Sequence, residues 1–334
     1  MTLVTDWFSE NSFHMQLFFA LSGYLYSGNK YTILNYIKKK MKRLLLPCWA
    51  YNIFYGLFNI VIGTKGFHIG GVFSFYNIFI SSMMFGSNFR FNSPDWFIMQ
   101  LFFVEIINVF ISKLLAKRHP VLKYIYYSIT LVGGLLSIQY TLHNEINDFT
   151  RVIFRTIFCL SWYNIGMLYK QIEKYDTLSN QTYFSIIFIV QFLILMKNDA
   201  NVQGSVVHFN FLINPIEVYI TALLAIAFWV RICKLISVYV LRNKFLDYVG
   251  HHTFTIVENQ YLGFFFLNIL LHMINQVWNI GFDEAAFYSM HNYIYLYHEN
   301  YIFAVLYLIM GIGVPIVISY EWDKMKTIIV NVKE

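Results

Sequence analysis

The stretch FHMQLFFALSGYLYSGNKYTILNYIKKKMKRLLLPCW (residues 13–49) joins two apolar aromatic runs through a cluster of cations. An apolar run bounded by cations is typical of a membrane-spanning helix that ends at a charged membrane face. The first run carries His14 near its start and the pair Ser22 and Gly23 near its end. Small residues let membrane helices approach closely, so we expect a helix packing contact at this pair rather than a nucleophile.

The composition favours a membrane environment for the whole chain. Of the 334 residues, 58% are hydrophobic and 13% are charged, and the mean hydropathy is +0.52. Such a chain has too little polar surface to cover itself in water. Its net charge of +6 does not indicate a nucleic-acid partner, because the cations lie between the apolar runs.

The apolar runs predict an all-α fold, a polytopic transmembrane helical bundle with about nine spans. The runs lie near residues 12–28, 43–63, 94–115, 122–140, 149–169, 181–197, 215–239, 253–273 and 301–321. Four of the five prolines fall at or just before the start of a run, where the missing N–H costs a helix little. The stretch 71–85 is apolar but short, and we expect an interfacial or re-entrant helix there.

The lysines and arginines are concentrated in alternate loops. One set of loops, together with the C-terminal tail, holds about 19 of the 24 cations. Because cytoplasmic loops carry the excess of Lys and Arg, we expect this set and the C-terminus inside and the N-terminus outside. No cleavable signal peptide is expected, since the first residues lack a basic segment and already carry Asp6 and Glu10.

The three cysteines lie singly, in or at the edge of apolar runs. Cys48, Cys159 and Cys233 have neither the spacing of a disulfide framework nor that of a zinc motif. We expect three buried thiols, no disulfide and no metal.

Four segments in series carry a family resemblance. They are FHMQLFFALSGYLYS followed by KKKMKRLLLPCW (13–49), PDWFIMQLFFVEII (94–107), WYNIGMLYK (162–170) and LDYVGHHTFTIVENQYLGFFFLN (246–268). In this order they resemble membrane acyltransferase family 3, of the polysaccharide O-acetyltransferase type. Each segment alone is a weak match, because aromatic membrane helices converge, but the series covers nearly the whole chain.

The resemblance implies a single integral-membrane acyltransferase-like domain over residues 1–334. The implied activity is transfer of an acyl group other than an amino-acyl group, with acetyl as the first choice, from acyl-CoA to a cell-envelope polysaccharide or glycan. The implied partners are membrane lipid and a glycan or lipid-linked sugar acceptor, in the bacterial cytoplasmic membrane. Acetyl, acceptor and location all follow from the resemblance and not from composition.

Two departures from the family pattern bear on activity. The family has a first helix whose histidine is implicated in catalysis, and this chain starts at what resembles the second helix. We therefore expect that the family's first transmembrane helix is missing, which also explains an N-terminus predicted outside. Positions that carry a histidine pair in the family hold Asn259 and Gln260 here, and neither amide acts as a base near neutral pH.

Acyl transfer to a hydroxyl needs a base, donors for the carbonyl oxyanion and a cationic site for the donor's phosphates. His14 is one candidate catalytic residue, because imidazole titrates near the working pH; the alternative is an interfacial histidine bonded to nearby backbone. Glu258 is the other candidate, because it lies about six residues into its span, where an ionisable group is costly without a function or a partner. The alternative for Glu258 is an ion pair between helices.

The cation cluster contains one candidate for donor binding. Arg43 abuts the apolar run and resembles the family's arginine at the helix mouth, where a guanidinium fork suits the phosphates of acyl-CoA. Lys38, Lys39, Lys40 and Lys42 are interpreted as a cytoplasmic topology signal that also attracts anionic lipid.

Other polar residues receive mainly structural interpretations. Glu105 lies mid-span and could pair with Arg155 or take part in proton movement. Asp95 and Trp96 open a helix on the outer side, where the acid favours a helix N-terminus and the indole favours the aromatic belt. The pair His251–His252 is expected in a solvated loop.

Two other functions stay open at this point. A transporter or flippase of a small solute or lipid-linked sugar would line its path with the same polar groups, although the sequence shows no inverted repeat of the transporter kind. A catalytically inactive acyltransferase relative, acting as a partner subunit, would fit the missing helix and the two amides. The sequence leaves the oligomeric state open.

Overall fold

A computed structural model describes residues 7–67, 70–86, 88–115, 119, 121–240, 243–289 and 301–331. Within these residues the α-helices are α1 (Glu10–Tyr24), α2 (Ile33–Lys40), α3 (Leu46–Gly63), α4 (Ser82–Phe85), α5 (Trp96–Leu115), α6 (Val121–Thr141), α7 (Asp148–Ile172), α8 (Asn180–Lys197), α9 (Pro215–Val240), α10 (Lys244–His251), α11 (Thr253–Trp278), α12 (Glu284–Ser289) and α13 (Tyr301–Asn331). A short hairpin pairs β1 (Gly204–Ser205) with β2 (Asn210–Phe211) in antiparallel register.

Short 3₁₀ and π-helical turns adjoin several of these helices. The π-helical turns Met41–Leu45 and Tyr76–Ser81 precede α3 and α4. A 3₁₀ turn, Arg90–Asp95, leads into α5. The helical segment that ends with α4 is too short to cross a membrane, in agreement with the short helix predicted for 71–85.

The predicted all-α membrane bundle is confirmed. Eight helical stretches of the described residues are long and apolar enough to cross a membrane, and they coincide with eight of the predicted runs. The remaining run, 12–28, forms α1, whose 15 residues are fewer than a typical span needs.

Polar side chains and prolines set several helix starts. The side chains of Thr32, Asn147 and Ser179 each accept a hydrogen bond from a backbone N–H in the first turn of the helix that follows. These N–H groups have no partner within the helix, so each bond stabilises a helix end. Pro47 lies in the first turn of α3 and Pro215 begins α9, as the proline positions predicted.

The chain divides into two compact units. The first comprises Met1–Leu44 and Gln100–Tyr239, and the second comprises Leu45–Met99 and Val240–Glu334. The boundary passes through α5. The prediction of a single domain over residues 1–334 is not decided by this division and stays a prediction.

The first unit is centred on α1 and α7, whose backbones touch at two glycines. A Cβ at Gly23 would overlap the carbonyl of Tyr163, and a Cβ at Gly166 would overlap the carbonyl of Ala20. Two helix backbones can come this close only where the residues at the contact are small. The packing contact predicted at Ser22 and Gly23 is therefore confirmed for Gly23, while the Ser22 hydroxyl donates a hydrogen bond within α1.

The second unit is built around α11 and α13. Gly263 of α11 lies against the backbone at Met310, where a Cβ would collide with the Met310 carbonyl. Further along the same pair of helices, the Tyr307 hydroxyl donates to Asn268 Oδ1 across 2.5 Å. This packing places the inner face of α11, which carries Glu258, in the interior of the unit.

A tight turn at Gly86 fixes the start of α5. Gly86 has φ of +93°, and a Cβ there would lie 2.6 Å from the Cβ of Trp96, so the position requires glycine. Trp96 itself is buried. The prediction that its indole lies in the aromatic belt is not confirmed, because the residue is buried in the protein.

Candidate functional site

Glu258 lies in a buried polar cluster of the second unit. Cys48 of α3 and Asp95, just before α5, complete its centre, and one ligand-type atom from each of the three side chains lies within 4.8 Å of the other two. All three residues are 0% exposed. Two carboxyl groups in apolar surroundings are stable side by side only when a proton or a cation offsets their charge.

Asp95 is held in place by two donors. Cys48 Sγ donates to Asp95 Oδ2 across 3.1 Å, and Asn92 Nδ2 donates to the same oxygen across 3.4 Å. Asn92 lies at a kink of the turn that leads into α5, three residues before Asp95. Asn92 Nδ2 also donates to Asn52 Oδ1 of α3 at 2.8 Å, so the turn before α5 is tied to α3 by side chains.

The Glu258 carboxylate differs from that of Asp95. Neither of its oxygens accepts a hydrogen bond of ordinary distance and angle from the part of the chain that the structure describes. The ion pair between helices, one alternative raised by the sequence, is not formed by Glu258 among these residues. Glu258 therefore keeps its acceptor capacity for a hydroxyl or another donor brought by a ligand.

Asn259, the next residue of α11, has a structural role. Its Oδ1 accepts a hydrogen bond from the Tyr55 hydroxyl at 2.7 Å, and its Nδ2 donates to the Thr255 carbonyl at 2.8 Å. Both ends of the amide are thus engaged. The engagement ties α11 to α3 beside Glu258.

The central three side chains also form a possible donor set for a metal ion. Zn²⁺ is bound by thiolates and carboxylates, with four protein ligands in structural sites and three in catalytic ones. In the described geometry, the protonated thiol of Cys48 donates a hydrogen bond to Asp95, whereas metal ligation requires the thiolate. Binding of a metal ion at this set would therefore release the thiol proton.

His14 lies in the first unit, in the second turn of α1, and its side chain is exposed. Glu258 belongs to the second unit. The catalytic role predicted for His14 stays a prediction.

Arg43 is exposed within the π-helical turn Met41–Leu45 of the first unit. A π-helical turn inserts an extra residue and is frequent at functional sites. No carboxylate of the described residues forms an ion pair with Arg43. Its guanidinium fork is thus available for an anionic ligand.

The lysines beside Arg43 are not equivalent. Lys38 and Lys42 are exposed, as expected for a topology signal. Lys39 Nζ donates to the Tyr31 hydroxyl at 2.7 Å, and this bond lowers the pKa of Tyr31. For Lys40 the interpretation as a topology signal alone is wrong.

Lys40 pairs with the buried Glu105, at 2.6 Å from Nζ to the carboxylate. Arg155, which the sequence suggested as a possible partner of Glu105, does not form this ion pair. Arg155 instead donates to Gln100 Oε1 at 3.0 Å and to the Val207 carbonyl at 3.3 Å. Arg155 therefore meets α5 at the height of Gln100. Glu105 lies five residues, or about 7.5 Å, further along that helix.

The two histidines before α11 also differ. His251 is exposed, as expected for a solvated position. His252 is partly buried, and its Nε2 lies 3.1 Å from Asp323 Oδ2 of α13. Both residues lie at the end of α10 rather than in an extended loop.

The comparison with known families decides the class of the protein. The family described as an acyltransferase domain, acyltransferase family 3, matches the chain over residues 6–320. The chain belongs to acyltransferase family 3. This match spans His14, Arg43 and Glu258 and supports a multi-pass membrane acyltransferase in general. No curated protein and no solved structure gives a significant match.

The structure adds Cys48 and Asp95 to the residues of the candidate site in this acyltransferase family 3 protein. The sequence interpretation treated the first as an isolated thiol and the second as a helix N-terminal acid. A usable signal was present, because Cys48 and Asp95 each directly follow a proline at the edge of an apolar run. Polar residues at two such edges are candidates for one buried cluster.

Proposed function

We propose that the chain is a membrane O-acyltransferase that moves an acyl group, with acetyl as the first choice, from acyl-CoA to a hydroxyl of a cell-envelope polysaccharide or glycan. The observation that supports this most is the Glu258 carboxylate, which is fully buried with free acceptor capacity inside an acyltransferase family domain. A hydroxyl nucleophile needs such an acceptor for its proton.

In the proposed reaction, Glu258 is the general base. It takes the proton of the acceptor hydroxyl while the hydroxyl oxygen forms a bond to the thioester carbonyl carbon. The carbon–sulfur bond then breaks, and the proton passes to the sulfur of CoA. Asp95, held in place by Cys48 and Asn92, is a positioning residue, because it places a second carboxyl group beside Glu258.

His14 and Arg43 have proposed roles at the substrates. Arg43 binds the donor phosphates through its exposed fork, as the resemblance implies. His14 places the acceptor hydroxyl or removes its proton. These roles rest on residue type and exposure.

The test uses the purified chain in proteoliposomes with radiolabelled acetyl-CoA and a glycan fraction from the cell envelope. Released CoA thiol and label on the glycan are both measured. We expect Glu258→Gln to lower transfer by about 10²- to 10⁴-fold, the usual effect of a lost base. The matched control is Glu217→Gln, which removes a carboxylate that pairs with Lys197 in the first unit.

Two further variants complete the test. His14→Ala should lower transfer without changing the thermal unfolding midpoint, because the side chain is exposed. Asp95→Asn should also lower transfer. Full activity of Glu258→Gln would rule out the proposed base.

The inactive-relative alternative is favoured by one observation. Asn259 occupies a position that is basic in the family pattern, and its amide is fully engaged with Tyr55 and Thr255. An inactive relative would bind acetyl-CoA without releasing CoA thiol. Thiol release by the parent chain that Glu258→Gln abolishes would exclude it.

A further inference from the structure

A cavity of about 270 Å³ lies within the first unit, among α1, α7, α8 and α9. Its inner wall is apolar and comes from the middle of the helices, with Leu17, Trp162, Ile165, Leu223 and Ile226 among its lining residues. A cavity with such walls stays dry and takes apolar ligands.

The mouth of the cavity is polar and comes from the helix ends. Tyr24 is the last residue of α1, and its hydroxyl donates to Glu173 Oε1 at 2.8 Å. Tyr169 lies near the end of α7 and accepts a hydrogen bond from Lys234 Nζ at 3.2 Å. Tyr183, near the start of α8, completes the ring of lining tyrosines. The cavity is therefore apolar inside and polar at one end.

Three cations surround this mouth, each placed over the ring of a lining tyrosine. Lys170 lies over Tyr24 with 5.5 Å between Nζ and the ring centre. Lys234 lies over Tyr169 with 5.6 Å between Nζ and the ring centre. The third, Arg231, lies over the ring of the remaining lining tyrosine. The mouth thus carries three cations beside the lining carboxylate of Glu173, above the apolar inner part of the cavity, which we call the slot.

The cations differ in how far they are engaged. Arg231 already has partners within the protein, because it pairs with Asp176 at 3.0 Å and donates to the Leu178 carbonyl at 2.6 Å. Lys170 is exposed, and no carboxylate of the described residues lies within ion-pair distance of it. Lys234 lies 3.8 Å from Glu173 and is about half exposed. Lys170 and Lys234 can therefore bind an anion.

We propose that this cavity is a binding site for one anionic phospholipid, with an acyl chain in the slot and the headgroup phosphate on Lys170 and Lys234. Charge complementarity selects this occupant, because basic pockets between membrane helices bind anionic headgroups. An apolar slot of this kind excludes a free polar solute. The proposal does not depend on the proposed acyl transfer.

The test is native mass spectrometry of the purified full chain, first delipidated and then titrated with phosphatidylglycerol or phosphatidylcholine of identical acyl chains. We expect one bound phosphatidylglycerol, and about fivefold weaker binding after Lys170→Gln or Lys234→Gln, from the effect of one cation near a lipid phosphate. Phosphatidylcholine, whose choline cation offsets the phosphate charge, should bind more weakly to the parent chain and should lose less affinity than phosphatidylglycerol in these variants. Lys65→Gln, an exposed lysine of the second unit, is the matched control.

A second set of variants tests the slot. Val230→Trp fills the cavity and should abolish binding of both lipids, whereas Val238→Trp, on the exposed side of the same helix at 75% exposure, should not. Ala227→Leu is a smaller filling variant for use if Val230→Trp fails to fold.

Three outcomes would overturn the proposal. The first is equal affinity for the two phospholipids, and the second is lipid binding that survives a folded cavity-filling variant. The third is displacement of phosphatidylglycerol by an equal concentration of palmitoyl-CoA or of a polyprenyl phosphate, which would identify another lipid as the ligand of the slot.

Discussion

Cys48 donates a hydrogen bond to Asp95 across 3.1 Å, and both residues are 0% exposed. The bond joins α3 to the turn that begins α5, within the second unit. A carboxylate acceptor makes the bond stronger than one between neutral groups. Its loss removes one of the donors that hold a buried carboxylate in an apolar interior.

The first prediction concerns this bond. Cys48→Val should lower the free energy of unfolding by about 1–3 kcal/mol more than Cys159→Val, because only Cys48 donates to a buried carboxylate. Cys48→Ser, which keeps a donor, should retain most of the stability. Thermal unfolding in detergent, followed by tryptophan fluorescence, measures the differences. Equal midpoints for the two valine variants would show that the bond contributes nothing.

The second prediction concerns Lys40 and Glu105. Glu105 is nearly fully buried, with a side chain 4% exposed, so Lys40→Met should destabilise the protein by about 3–5 kcal/mol, the cost of a buried charge without its partner. Lys38→Met, an exposed neighbour on the same helix, is the control and should have little effect. The double variant Lys40→Met with Glu105→Leu should recover stability. A double variant less stable than Lys40→Met would contradict this account.

The third prediction concerns the cation cluster. Arg43→Lys keeps the charge but loses the fork, so acetyl-CoA binding should weaken by about tenfold, the effect of one lost hydrogen bond between charged groups. Lys42→Gln, which removes an exposed neighbouring charge, should weaken binding less. Equilibrium binding of labelled acetyl-CoA to the purified chain checks both. Equal losses would leave the cluster as a topology signal.

The fourth prediction concerns the packing of α1 on α7. Gly23→Ala and Gly166→Ala should each lower the free energy of unfolding by about 1–3 kcal/mol, because the added methyl group meets a carbonyl of the other helix. Gly250→Ala is the control, since a Cβ there meets nothing within 4 Å. Thermal unfolding midpoints give the comparison. A Gly23→Ala variant as stable as Gly250→Ala would show that α1 and α7 are further apart than described.

The fifth prediction concerns the orientation in the membrane, which rests on the cation asymmetry. In a Cys233→Ser background, Glu145→Cys should react with an impermeant maleimide in intact cells, and Lys174→Cys only after permeabilisation. Both positions are exposed and lie at opposite ends of α7. Labelling of Lys174→Cys in intact cells would reverse the assignment.

The helices could be predicted because the signals that define them are local. Run length sets the spans, and prolines and short polar residues set their starts. The contact at Gly23 was predictable for the same reason, since a small residue in a membrane helix has few other uses.

The partners of buried side chains could not be predicted in the same way. Glu105 pairs with Lys40 and not with Arg155, because pairing depends on which helices adjoin and at what level along their axes. Asp95 meets Glu258 although 163 positions separate them. Hydropathy and periodicity identify the apolar face of a helix, but they do not identify the helix against which that face packs.

The backbone contact between α1 and α7 also has a consequence for how this chain can evolve. Gly23 and Gly166 each lie against a carbonyl of the opposite helix, so a larger residue at either position forces both helices apart. Such a separation would widen the slot, because α1 and α7 form part of its wall. Homologous sequences should therefore keep small residues at both positions or change them together, and a lineage that loses one should show altered side chains along the slot.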